Sequence, residues 1–208
     1  MALIQSGSGA DLLDVTAAKS AKATLYDAGA SGAEILPLPT RAFLLPILVR
    51  QTGATAAAST VWAARNVAGP QTVYIRRIRG AVTFDGTAAA ATTIGYDFMR
   101  FSVATPTGGT ALTPIKKRSA YAASNVSDAR FLDTGLTVAG VTFETPFARV
   151  QAPISVTSMI RPFEIDFSYL GDRGAPFELA SGEGLAIQLT ATAVIGLGIS
   201  GWVEYDER

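Results

Sequence analysis

The chain has 208 residues and carries 17 Lys plus Arg against 17 Asp plus Glu, so its formal net charge is zero. That balance supplies no global field toward nucleic acid or an anionic membrane, and the length suits one domain with an appended arm. Cysteine and histidine are both absent, which excludes disulfides, thiolate nucleophiles, Ser-His-Asp and Cys-His triads and the usual zinc frameworks.

The opening, Met1 to Gly9, shows no basic segment followed by an apolar stretch, and a cytoplasmic site of synthesis and residence is expected. Residues 1–40 are rich in small side chains. Within them "DLLDVTAAKSAKA" has the composition of a helix that forms when docked, "ATLYD" suits a single strand added to a neighbouring sheet, and "PLPT" punctuates the join at 37–40. Two readings stand for this segment: an arm ordered by a partner or by its own domain, or a first strand of the domain with a loose lead-in.

From residue 41 the pattern changes to period two. Phe43, Leu45, Ile47 and Val49 alternate with Leu44, Pro46, Leu48 and Arg50, and because Pro46 cannot donate to a ladder the strand belongs at an edge or beside a bulge. Thr60 to Asn66 is the next strand. In "TVYIRRIRGAVTFDG" (72–86), Val73 and Ile75 share one parity while Ile78, Val82 and Phe84 share the other, so a bulge or bend is expected at Arg76 and Arg77. "IGYDFMRFSV" (94–103) is apolar on both faces, as in a central strand. Residues 115–133 break the rhythm with the basic run Lys116, Lys117, Arg118 and read as a long surface excursion with room for a short helix.

"FEIDFSYL" (163–170) alternates cleanly, with Phe163, Ile165, Phe167 and Tyr169 inward. Gly184 to Val203 holds no charged residue and reaches the length of a membrane span, yet its alternation and its glycines at 196, 198 and 201 predict two strands and a turn. Leu185 to Ala193 and Ile199 to Tyr205 are expected to pair antiparallel. With the turn clusters at 105–109, 170–176 and 180–184, the chain reads as all-β: an antiparallel β-sandwich, jelly-roll-like, at 41–208, with an extended N-terminal arm at 1–40.

Chemistry-bearing patterns are few, and each has an ordinary explanation. "GLGISG" (196–201) spells the dinucleotide motif, but the chain leaves no room for the helix and the acidic residue that the motif requires. Glu164 with Asp166, and Glu204 with Asp206, lie two apart on strands, whereas glycoside hydrolysis needs carboxyls on facing elements. Calcium has a candidate loop at Asp128 to Asp133. Arg76, Arg77 and Arg79 beside Tyr74 form a possible stripe for a phosphate or a partner. Trp62, Tyr121, Trp202 and Tyr205 are the aromatic residues that could stack on sugars, although sandwich cores and interfaces also use them. No catalytic residue, cofactor site or metal site is assigned.

The arm "DLLDVTAAKSAKATLYDAGA", the strand "RAFLLPILVRQT" and the ending "FELASGEGLAIQLTATAVIGLGISGWVEYDE" together resemble small β-rich virion proteins of tailed bacteriophages. In those, a "K.A..TLYD" arm precedes a sandwich closed by a "GEGL.I" turn and strand and a final "V.(Y/W)(D/E)E" strand. The likeness covers the two ends of the chain. It implies a structural, non-enzymatic role in the virion, assembled in the host cytoplasm: a capsid decoration or cement protein bound to the major capsid protein or neighbouring virion subunits, and itself a homo-oligomer, with a trimer favoured. The expected contacts are Leu12, Leu13, Leu25 and Tyr26 in the arm and Arg76, Arg77 and Arg79 on the sandwich, with no nucleic acid or membrane partner and no cofactor. The alternatives are a tail, collar or fibre protein contacting host glycan through Trp62, Tyr121 and Trp202, and, more remotely, a glycan-acting hydrolase.

Overall fold

The structure is a computed structural model that describes residues 3–5, 12–14, 41–67, 69–86, 92–102, 105–132, 136–138, 142–154, 158–167, 177–193 and 196–208. The chain divides into two units, Met1–Leu38 and Pro39–Arg208. In the first, β1 (Leu3–Gln5) runs antiparallel to β2 (Leu12–Asp14), with Ile4 opposite Leu13. The start of "DLLDVTAAKSAKA" is therefore strand rather than helix. Leu12 and Leu13 stand on β2, while Leu25 and Tyr26 lie outside the described residues.

The second unit contains β3 (Arg41–Arg50), β4 (Thr60–Arg65), β5 (Val73–Phe84), β6 (Thr92–Ser102), β7 (Thr110–Leu112), β8 (Ile115–Lys116) and β9 (Asp128–Phe131). It continues with β10 (Thr142–Phe143), β11 (Ala148–Ile154), β12 (Met159–Asp166), β13 (Phe177–Leu179), β14 (Glu183–Leu189) and β15 (Leu197–Glu207). No helix occurs among the described residues. The first sheet has the order β12-β5-β15-β3-β8, with β13 also on β5; the second has β10-β6-β14-β4-β9-β7, with β11 also on β6. Every pairing is antiparallel.

Followed along the long strands, the chain changes sheet at each step from β3 through β4 and β5 to β6, stays in the second sheet for β11, and alternates again through β12 and β14 to β15. That path, with orders β12-β5-β15-β3 and β11-β6-β14-β4, is a jelly roll. It also corrects the expected pairing of the last two strands. β14 pairs with β4 and β6, whereas β15 pairs with β3 and β5, because in this topology sequence neighbours face each other across the core.

Inward residues of both sheets form one core. Phe43, Leu45 and Ile47 of β3, Ile78 and Val82 of β5, Phe98 of β6 and Ile187 of β14 are all buried in it, as the period-two pattern requires. The predicted phase slip is a bulge. Glu204 pairs with Arg77 and Tyr205 with Ile75, so Arg76 is the extra residue. The excursion contains β8 and β9 and, over its described residues 115–132, no helix: β8 pairs with β3 in the first sheet and β9 with β4 in the second, so the segment stitches one side of the sandwich.

Both open edges of the first sheet carry a proline. Ala42 accepts from the Lys117 N–H and Pro46 from Trp62 Nε1, so even-numbered residues of β3 turn their backbone groups outward, and Pro46 lies past the two-residue β8. On β12 the Phe167 N–H donates to Arg76, which makes odd residues face β5 and leaves Pro162 with its absent N–H on the open side. Proline there withholds a donor from any added strand.

Candidate functional site

The outer face of the first sheet is ordered in rows by strand register. One row runs Leu48, Ser200, Ala81, Pro162; the next runs Pro46, Trp202, Arg79, Glu164; a third runs Leu44, Glu204, Arg77, Asp166. The first two rows enclose an open groove of about 630 Å³, walled by Leu48, Arg79, Pro162 and Trp202. Its floor is set by two glycines paired across β5 and β15. A Cβ on Gly80 would come within 2.1 Å of the Ser200 carbonyl oxygen, and one on Gly201 within 2.1 Å of the Arg79 carbonyl oxygen, so the backbones approach as only glycine permits.

Large apolar side chains stand exposed on and beside this groove: Leu48 at 52%, Trp202 at 39% and Ile160 at 75%. The Arg79 guanidinium lies 4.8 Å from the centre of the Trp202 ring, a cation–π contact that holds both side chains upright on the sheet.

The arginines expected to form one stripe have different roles. Arg77 reaches Glu164 at 3.1 Å and Asp166 at 3.0 Å, and the bulged Arg76 reaches Asp206 at 2.8 Å through Nε. Lys117 pairs with Glu204, and Arg50 with Asp85. These cations are engaged within the fold. Among the described residues Arg79 has no carboxylate partner, and its Nε is buried without a hydrogen bond.

The carboxylate pairs singled out in the sequence are thereby accounted for. Glu164 and Asp166 sit side by side on β12 and share Arg77, and Glu204 and Asp206 are tied to Lys117 and Arg76; none of these faces another across a cleft. Two further acids are structural. Asp97 takes a two-pronged contact from Arg149 at 2.5 and 2.8 Å, and Glu207, fully buried, pairs with Arg41 at 2.9 Å and accepts from the Ser124 hydroxyl and the Asn125 N–H. Burial pushes the Tyr96 and Tyr205 phenols well above their usual value. Among the described residues no group of three acidic side chains is placed to hold a metal ion, and Asp133 of the candidate calcium loop lies outside them.

The aromatic residues separate in the same way. Trp62 is fully buried and its Nε1 donates to Pro46; Tyr205 is buried and stacked 5.4 Å from Phe43; Tyr121 leans on Phe43 at 6.1 Å. Trp202 alone of these four is offered on the outer face. "GLGISG" forms a turn at Gly196 and then the start of β15, with no helix behind it.

The outer face of the second sheet is built differently. Ala63, Met99, Phe101 and Ala186 are buried there under Val138 and Phe143, with Phe143 edge-on to Phe101 at 6.2 Å. Among the described residues, one apolar outer face is covered by the chain's own segment and the other is not. Sequence reading overlooked Leu48, Ile160 and Pro162, although apolar residues at outward parity were the available sign.

Comparison with known protein families, curated proteins and solved structures returns no match.

Proposed function

We propose that this protein is a structural component of a tailed-phage virion, a capsid decoration or cement protein that binds and stabilises the head shell and itself forms a homo-oligomer, a trimer in the favoured case. The observation that carries the reading is the outer face of the first sheet, where Leu48 and Trp202 are exposed on an open groove and Ile160 beside it. An apolar centre rimmed by internally satisfied ion pairs has the anatomy of a protein contact surface. The resemblance of the two chain ends to small virion proteins supports the same assignment, as does an N-terminal segment that forms a unit separate from the jelly roll.

The contact residues are accordingly narrowed. Arg79 and Trp202 face outward with Leu48, whereas Arg76 and Arg77 serve the sheet itself. Proline at both open edges of that sheet argues for docking through the face and the N-terminal segment, not through edge strands. A glycan-binding fibre protein is less well supported, since of Trp62, Tyr121 and Trp202 only Trp202 is presented.

The test is binding of the purified protein to virus-like heads that lack it, comparing the full chain, a deletion of residues 1–40, and Trp202→Ala. Saturation of a symmetric set of sites by the full chain, with loss in either variant, supports decoration. Absence of binding by the full chain overturns it and makes a glycan array the next measurement.

A further inference from the structure

We propose that the groove beside Trp202 binds an extended acidic segment of a partner protein, seating a carboxylate on Arg79 and the neighbouring apolar side chains against Leu48 and Pro162. The inference rests on the reading of the outer face as a contact surface and adds the chemistry of what it contacts.

Charge complementarity carries it. On this face Arg50, Arg76, Arg77 and Lys117 each have a carboxylate partner, and among the described residues Arg79 has none. Its register partner on β12 is Glu164, yet that carboxylate is drawn to Arg77. A guanidinium with a buried, unbonded Nε keeps unmet hydrogen-bonding capacity, and stacking on the indole aims its fork. An incoming carboxylate gains a charge-assisted bond in a half-sheltered setting. The remaining walls decide what accompanies that carboxylate. Leu48, Ala81 and Pro162 are apolar, Ser200 brings the one hydroxyl among the lining residues, and the Glu164 carboxylate that also lines the groove is neutralised by Arg77. Sugar recognition needs several converging polar groups, so a peptide with apolar residues beside its acid fits better than an acidic sugar. Pro162 prevents that peptide from joining β12 as a strand, which leaves side-chain recognition across the face.

The experiment uses the full chain labelled with 15N, observed at the Arg Nε–H and Trp Nε1–H signals. Buried Trp62 serves as the internal control for Trp202. The probes are acetyl-Leu-Asp-Leu-amide, its Asn and Lys counterparts, and glucuronate. The expected result is a saturable shift of the Trp202 and Arg79 signals with the Asp peptide, at least about tenfold weaker with the Asn peptide and absent with the Lys peptide. Arg79→Gln abolishes the preference for Asp over Asn, and Arg79→Lys restores part of it. Thermal unfolding of both variants checks that they fold, and Trp202→Leu, read at Arg79, gives a second route. Equal binding of Asp and Asn peptides, binding of glucuronate alone, or no saturable shift at millimolar peptide overturns the inference. Head binding without peptide binding removes this inference and leaves the decoration reading; peptide binding without head binding does the reverse.

Discussion

The two outer faces of the jelly roll start from similar material and end differently. On the second sheet, Ala63, Met99, Phe101 and Ala186 are roofed by Val138 and Phe143; on the first, Leu48, Trp202 and Ile160 are exposed, with no roof among the described residues. Apolar surface taken from water stabilises the fold by about 25 cal/mol per Å². The covered face therefore contributes to stability, and the exposed face leaves the same kind of surface in water. The difference teaches that exposure here belongs to a whole face, built by glycine-paired strands, and is not a scatter of surface residues.

The contrast is easiest to break at the roof. Phe101→Ala empties a fully buried ring site under Phe143 and is expected to cost about 3–5 kcal/mol, seen as a large fall in the urea midpoint. Phe143→Ala removes only the half-buried cover and is expected to cost about 1–2 kcal/mol by the same measurement. A Phe143→Ala effect within about 0.5 kcal/mol of zero would mean the roof adds nothing.

The interior common to both faces has its own signature in alkali. Tyr96 and Tyr205 are buried with raised pKa values, whereas in the unfolded chain their phenols ionise near 10. The unfolded state then loses protons that the folded state keeps, so stability is fully present below about pH 10 and falls as pH rises beyond it. Urea titrations at stepped pH should show this decline. Among the described residues the Tyr96 hydroxyl is buried without a partner, so Tyr96→Phe should leave neutral-pH stability unchanged or slightly raised and reduce the alkaline slope. Tyr205→Phe also reduces the slope but loses the 2.6 Å hydrogen bond to Ser124, at about 1 kcal/mol.

The smallest stability effect belongs to the bare face. Leu48→Ser and Ile160→Ser are expected to shift stability by no more than about 0.5 kcal/mol while reducing dye binding to exposed apolar surface. A larger loss would show that this face is part of the core.

Much of the sandwich was legible because its strands alternate. Phe163 and Ile165 pack against the core while Glu164 and Asp166 face out, as "FEIDFSYL" implies, and the parity change at Arg76 marked the bulge. Which strands pair was not legible. Periodicity describes one strand's two faces and says nothing about its neighbour, so β14 and β15 looked like a hairpin while lying in opposite sheets. The surface was harder to read for a related reason. Arg76, Arg77 and Arg79 look alike in sequence, and only the cross-strand register assigns acids to the first two and an indole to the third. Trp62 and Trp202 are likewise distinguished by depth alone.

The pairing of β3 with β15 has a mechanical consequence. Arg41 lies opposite Glu207 at one end of this ladder and Arg50 opposite Gly198 at the other, so the start of β3 and the end of β15 meet at the same mouth. Tension applied between residues 41 and 208 would peel the ladder rung by rung and not shear it all at once. The first rung is the Arg41–Glu207 pair, and Ser124 and Asn125 grip the same carboxylate from the side. A tether leaving the domain at residue 41 would thus deliver its load first to a rung with lateral reinforcement, where a tear must begin.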